Sequence, residues 1–165
     1  MAEQAVDKVC RLLGRHARCT THKSPILGGA GFDAEAAGVT GGRFGHLVQR
    51  YGTESRFVED IAMSDPHLAE PMTPELPYLW AEAVFAIRHE MAVTVTDVLT
   101  RRIPARFLHS AAAASIAPRV AEVLHQELGT PREQLAVQVA AFLDDVEREK
   151  AALRIGDAVG VPVSA

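Results

Sequence analysis

This sequence has few aromatic residues, no long basic stretch and no long apolar run, and each absence excludes a class of protein. Only 5% of the 165 residues are aromatic and no long basic stretch occurs, so nothing favours a nucleic-acid-binding protein. No apolar run approaches the ~20 residues of a membrane-spanning helix. With a net charge of −4, the sequence predicts a soluble protein without a transmembrane segment.

Cysteine is also rare, and the two thiols indicate a cellular compartment rather than a disulfide-bonded structure. Cys10 and Cys19 are too few for a disulfide scaffold and, without a signal-peptide pattern, favour the reducing cytoplasm. Cys10 falls on the apolar side of a helical pattern, where we expect a small buried residue. Zinc bound by these thiols with His16 and His22 fits no common ligand spacing. A small helical metal protein that uses Cys19 and His22 is therefore the weaker alternative.

What the sequence does contain is helical periodicity. Apolar residues recur at three- and four-residue spacings, and no run shows the two-residue alternation of a half-buried strand. The predicted fold is all-α, a compact single-domain bundle of about six or seven helices with a glycine-rich N-terminal loop. The clearest helix is predicted over residues 77–91. Its apolar stripe comprises Trp80, Ala83, Val84, Ile87 and Met91.

The predicted helices divide the chain into four segments. Residues 1–15 form a helix, 16–42 a linker loop, 43–155 the helical domain and 156–165 a loose tail. The linker holds Pro25 and six glycines, so several positions are expected to need a positive φ. Its G-x-G-x-x-A match at 29–34 lacks the strand and helix of a nucleotide-binding loop, so the match is a weak signal. Whether the Gly28–Gly42 loop is ordered without a partner stays open.

Five charged residues lie on or after the clearest helix: Glu82, Glu90, Asp97, Arg101 and Arg102. The two glutamates are two helical turns apart, too far to share a proton. Glu82 stands among apolar neighbours and is expected to be buried beside a cation of the arginine pair, because buried charges are usually paired. The five residues are therefore structural ion-pair candidates. No catalytic, cofactor-binding or metal-binding residue is assigned.

A short helix is predicted over residues 97–102. Thr96 would cap it, Asp97 suits its positive end and the two arginines suit its negative end.

Three segments resemble the C-terminal part of FAD-dependent glycerol-3-phosphate dehydrogenases, the family that includes alpha-glycerophosphate oxidases. Residues 1–9 are similar to the helix that follows the last strand of the family's flavin domain, and residues 19–29 to its T-x-x-x-P-L-x-G-G linker. Residues 76–102 resemble its helix pair. The matching positions in that pair are Tyr78, Leu79, Glu82, Ala86, Glu90, Ala92, Thr94, Asp97, Leu99, Arg101 and Arg102.

The resemblance implies a role within a larger enzyme. Members oxidise glycerol 3-phosphate to dihydroxyacetone phosphate through FAD, and many associate with the membrane surface. Because the residues that hold FAD and substrate lie mostly upstream, no FAD-binding residue is carried onto this chain. It would be an accessory domain that packs against the upstream flavin and substrate domains and is silent alone. The alternative is a standalone helical interaction or regulatory module, and a homo-oligomer is compatible with both.

Overall fold

A computed structural model describes residues 2–33 and 45–158 of the chain. Two compact units divide it, Met1–Ser55 and Arg56–Ala165. Among the described residues there are seven α-helices and one two-stranded sheet, so the predicted all-α class and the helix count are confirmed.

The first unit begins with helix α1, which ends just before Gly14, a residue that predicts a helix stop. Gly14 adopts φ +63°, and the Arg15 amide donates to the Cys10 carbonyl at 2.9 Å. Glycine ends the helix here because, without a Cβ atom, it adopts this left-handed conformation at little cost. The elements are α1 (Ala2–Leu12), a 3-10 turn (Thr21–Lys23), α2 (Gly45–Tyr51) and a second 3-10 turn (Gly52–Glu54).

Two glycines of the first unit make a close backbone contact. Gly28 and Gly52 adopt φ +80° and +59°, and the Thr53 amide donates to the Gly28 carbonyl at 3.0 Å. A Cβ atom on Gly52 would lie 2.1 Å from that carbonyl oxygen, so only glycine fits. The positive φ values expected in the linker are confirmed at Gly28 and Gly31. Ala34, which ends the G-x-G-x-x-A match, lies outside the described residues.

The second unit is built around a helix that is buried on almost every side. All side chains from Trp80 to Ile87 are buried, including the carboxylate-bearing Glu82. The helix packs against α6, which in turn packs against α7. The elements are α3 (Ser55–Ser64, which begins at the unit boundary), β1 (Pro71–Thr73), β2 (Leu76–Leu79), α4 (Trp80–His89), a π-helical turn (Asp97–Arg102), α5 (Ala105–Leu108), α6 (Ser110–Leu128) and α7 (Arg132–Ala158).

The four prolines of residues 65–77 predict a connector, but a β-hairpin occupies part of this segment and the start of the helix predicted over residues 77–91. Strands β1 and β2 pair antiparallel, with Pro71 opposite Leu79 and Thr73 opposite Leu76. The strands are three and four residues long, so their buried–exposed alternation is too short to stand out. Pro77 is compatible with a strand of this kind, because a proline at a sheet edge leaves no ladder bond unmade. The prediction that no strand is present was wrong.

Met91 was also placed wrongly in the core. Helix α4 ends at His89, and the amides of Glu90 and Ala92 both donate to the Ala86 carbonyl, at 3.1 and 3.0 Å. This reversal puts Met91 in a left-handed conformation, φ +60°, with 83% of its surface exposed. The other predicted members of the apolar stripe are buried.

The last two helices end differently from one another. Helix α6 stops at Gly129, a residue type that predicts a helix end; its φ is +68°, and its amide donates to the His125 carbonyl. Helix α7 continues to Ala158, beyond the start of the segment predicted as a loose tail, and residues 159–165 lie outside the described part. Among the described helices, none combines the length and apolar character needed to cross a membrane.

Candidate functional site

The candidate site is a polar network that holds the loop between α4 and the π-helical turn. Asp97 Oδ2 accepts hydrogen bonds from the amides of Val93 and Thr94, at 3.1 and 3.0 Å. The Asp97 amide donates to Thr94 Oγ1 at 3.0 Å. Thr94 therefore takes the capping role that was predicted for Thr96, whose side chain makes no cap hydrogen bond. The turn is π-helical rather than α-helical, since the Ile103 amide donates to the Val98 carbonyl five residues back.

Arg101 completes the environment of Asp97. Its guanidinium forms an ion pair with Asp97 Oδ1 across one helical turn, and the Asp97 side chain is 13% exposed. Burial alone would raise the pKa of Asp97, but hydrogen bonds with Arg101, Thr94 and the Val93 amide outweigh it and hold that pKa below its usual value. The carboxylate is therefore ionised at neutral pH.

Arg102 and Gln138 tie the loop to its surroundings. Arg102 Nε donates to the backbone carbonyl of Glu90 at 2.6 Å, which closes the loop from the opposite side. The Val95 amide donates to Gln138 Oε1 at 3.1 Å, which connects the loop to α7. The loop is thus fixed at both ends and in the middle.

Glu82 lies apart from this network, at the start of α4. Its side chain is fully buried, and Oε2 accepts a hydrogen bond from the Leu79 amide at 2.8 Å. A glutamate three residues into a helix that accepts from the N-cap amide is one half of a capping box. The sequence carries that spacing signal, since Glu82 stands three residues after Leu79.

A further ion pair was not anticipated from the sequence. Arg88 on α4 forms a two-pronged contact with Glu127 on α6, with Nε–Oε2 and Nη2–Oε1 distances of 2.6 and 2.7 Å. The hydrogen bond that Arg88 donates to Glu127 is the main cause that raises the pKa of Arg88. Residues 39 positions apart give no local pattern, so sequence spacing could not pair them.

The hydrogen bonds of the described network fix the backbone of the loop, which is a structural role rather than a catalytic one. Its carboxylate accepts from amides and a guanidinium, as a loop clamp does, and the loop tip carries two exposed apolar side chains, Met91 and Val93. Across residues 2–33 and 45–158, no group of three or more His, Cys, Asp or Glu side chains could hold a metal ion. In the first unit, Cys19 Sγ lies 3.0 Å from Thr21 Oγ1, and Cys10 is partly exposed rather than buried.

Comparison with known proteins gives a consistent result. The family described as the C-terminal domain of alpha-glycerophosphate oxidase matches residues 19–135. Glycerol-3-phosphate dehydrogenase 2 of Mycobacterium tuberculosis is 33% identical over 159 residues, covering 90% of this chain and 27% of that protein. The probable mitochondrial glycerol-3-phosphate dehydrogenase of Caenorhabditis elegans is 31% identical over 149 residues, covering 78% and 20%. The glycerol-3-phosphate dehydrogenase of Synechocystis is 26% identical over 157 residues, covering 90% and 28%.

No solved structure gives a significant match to the chain. The chain spans about a quarter of the length of the curated relatives it matches, 27% in the mycobacterial case. Since the family match covers more than half of the sequence, the chain belongs to the family of the C-terminal domain of alpha-glycerophosphate oxidase, among relatives named glycerol-3-phosphate dehydrogenases.

Proposed function

We propose that this chain is the C-terminal accessory domain of an FAD-dependent glycerol-3-phosphate dehydrogenase. The parent enzyme oxidises glycerol 3-phosphate to dihydroxyacetone phosphate, and the flavin is held by its upstream part. The present domain packs against the flavin and substrate domains, supports their assembly and is catalytically silent alone. The names of the relatives and the 27% coverage of the mycobacterial protein support this proposal.

The observation that carries the proposal is the uncovered apolar side of α1. Val6, Val9 and Leu12 are 59%, 53% and 78% exposed, and no residue of this helix is buried. An isolated helix of 11 residues is only marginally stable in water, so it needs a partner surface. We assign residues 1–15 to the flavin-domain side, 16–42 to the linker, 43–155 to the accessory domain and 156–165 to a tail.

The charged residues take structural roles in this proposal. Asp97, Arg101, Arg102 and Glu90 fix the loop whose apolar tip is exposed, and Glu82 caps α4. A rigid loop with an exposed apolar tip suits contact with another domain better than it suits proton transfer. The location that fits this role is the cytoplasm, with the parent enzyme at the inner face of the membrane.

Two measurements test the proposal. An antibody raised against this chain should detect, in extract of the source cells, a band far larger than 17.8 kDa. That larger protein, once purified, should carry FAD and reduce an electron-accepting dye in the presence of glycerol 3-phosphate. The isolated chain should be colourless and inactive in the same assay. A yellow isolated chain with stoichiometric flavin would contradict the proposal.

The second candidate function is a standalone helical interaction module. The same uncovered side of α1 favours it if the covering surface belongs to a separate protein. A native band at 17.8 kDa would support this candidate and would exclude an accessory domain within a longer chain.

A further inference from the structure

A second polar feature of the second unit lies away from the Asp97 network. The guanidinium carbon of Arg119, on α6, lies 4.1 Å from the centroid of the Trp80 ring, at the start of α4. Trp80 is 1% exposed, whereas Arg119 is exposed. A cation held over an indole face is attracted by the ring quadrupole, so the arginine is oriented before any ligand arrives.

Arg119 has no carboxylate partner among the described residues, although two carboxylates line the same cleft. Glu122 is occupied by Arg132, at 3.2 and 2.7 Å. Asp65 accepts from the His67 amide at 2.9 Å. Arg119 differs in this respect from five other arginines of the described second unit. Those that pair with carboxylates are Arg88, Arg101, Arg106, Arg132 and Arg148.

The cleft around Arg119 is built on fixed backbone. It has a volume of about 370 Å³, and Leu68 and Val123 contribute apolar walls. The Leu68 carbonyl accepts from the Ala81 amide at 2.9 Å, and the Glu70 carbonyl accepts from the Trp80 amide at 3.1 Å. These bonds attach the loop before β1 to the first turn of α4, which holds the wall opposite α6.

We propose that this cleft binds a small monocarboxylic acid with a short apolar tail. The planar fork of a guanidinium matches a carboxylate, with which it can form two parallel hydrogen bonds. The apolar tail would lie on Leu68 and Val123. Asp65 and Glu122 in the lining oppose a dianion more than a monoanion, which favours a carboxylate over a phosphate. The inference is independent of whether the chain belongs to a dehydrogenase.

Trp80 makes the test direct, because it is the only tryptophan of the chain. Its fluorescence should change saturably when the full chain is titrated with butyrate at constant ionic strength set by chloride. Acetate should bind more weakly, since it lacks the tail, and inorganic phosphate most weakly. Arg119→Gln should weaken butyrate binding about tenfold or more, as expected when a charge-assisted hydrogen bond is lost. Arg119→Lys should give an intermediate loss, because it keeps the charge without the fork.

A matched control and a second variant keep the test decisive. Arg148→Gln removes an exposed arginine of α7 that pairs with Asp144 and Asp145, and butyrate binding should stay at the wild-type level. Gln126→Glu adds a negative charge to the cleft lining at an exposed position and should weaken binding even if Arg119→Gln fails to fold. Absence of a saturable signal, equal binding by Arg119→Gln, or phosphate binding as tight as butyrate would each overturn the proposal.

Discussion

Asp97 is the single residue on which the loop after α4 most depends. Its depressed pKa means that its contribution to stability is present above the ordinary aspartate pKa of about 3.9 and is lost as the pH falls through the lower folded-state value. We expect Asp97→Asn to lower the free energy of unfolding by about 2 kcal/mol near neutral pH, because the ion pair with Arg101 is lost and a buried amide donor is introduced.

Urea unfolding of the wild type and of Asp97→Asn as a function of pH checks this expectation. The difference between the two should shrink as the pH falls below about 4, because the unfolded-state carboxylate then binds a proton, and it should be smallest below the lower folded-state pKa, where the native carboxylate is neutral too. Asp144→Asn is the control, since Asp144 is 69% exposed and its pair with Arg148 is a surface pair. A difference that is the same at all pH values would assign the effect of Asp97 to shape rather than to charge.

Gly52 offers a second test at the same scale. Gly52→Ala combines a left-handed φ with a Cβ atom 2.1 Å from the Gly28 oxygen, so we expect a loss well above the ~1–2 kcal/mol of the conformation alone. Gly31→Ala is the control, because Gly31 has a similar φ of +71° but no atom within 4 Å of the added Cβ. Thermal unfolding of both variants should give a clearly lower midpoint for Gly52→Ala. Equal midpoints would show that the Gly28–Gly52 contact contributes little to stability.

Among single residues, the sequence predicted backbone-determined roles better than side-chain partners. The stops at Gly14 and Gly129 follow from the conformational freedom of glycine, which is a local property. The contact of Glu82 with the Leu79 amide is equally local, because the two residues are three positions apart. Which charges lie beside a buried glutamate is decided by packing, and local spacing does not contain that information.

At the scale of elements, the pair between Arg88 and Glu127 joins α4 to α6. Glu127 is 18% exposed and the contact is bidentate, so we expect Arg88→Ala to lower the free energy of unfolding by about 1 kcal/mol. Arg88→Lys should recover only part of this loss, because lysine lacks the planar fork. A double-mutant cycle with Glu127→Gln isolates the pair energy. A coupling energy near zero would mean that the contact is incidental to helix packing.

Element boundaries follow from the sequence where the local signal is strong and the element is long. Helix α6 has 19 residues, and its regular apolar spacing and the glycine that follows predict a helix over residues 111–128, nearly the observed bounds. The hairpin at 71–79 has strands of three and four residues with two prolines, and that composition predicts a connector rather than strands. Its strands gain most of their stability from contact with other parts of the chain, which no short window of sequence contains.

The whole molecule divides its apolar residues unevenly between core and surface. Phe142 on α7 is 1% exposed, whereas Val9 on α1 is 53% exposed. We expect Phe142→Ala to cost about 3–5 kcal/mol of unfolding free energy and Val9→Ser to stay within about 0.5 kcal/mol. Chemical unfolding of the isolated chain measures both. A large loss for Val9→Ser would show that α1 is already covered within this chain and would weaken the proposed packing on an upstream domain.

The candidate site shows why whole-molecule features escape sequence analysis. Residues 76–102 contain the ion-pair candidates predicted from the sequence, and the polar network lies in the second half of this segment. The cleft at Arg119 was not anticipated, because its walls come from the loop before β1, from α4 and from α6. Only the folded second unit brings these distant segments together.

The conformation and exposure of Met91 make it a position at which the thermal and oxidative stability of this domain can be raised. A methionine in the left-handed region carries strain of about 1–2 kcal/mol, and because Met91 is 83% exposed its thioether is open to oxidation. Asparagine tolerates that backbone conformation, so Met91→Asn should raise the melting temperature and make the protein insensitive to peroxide at this position. If the variant instead melts lower, the methionine contributes contacts that outweigh its strain. The substitution should leave the packing of the core unchanged, because the Met91 side chain lies outside the core.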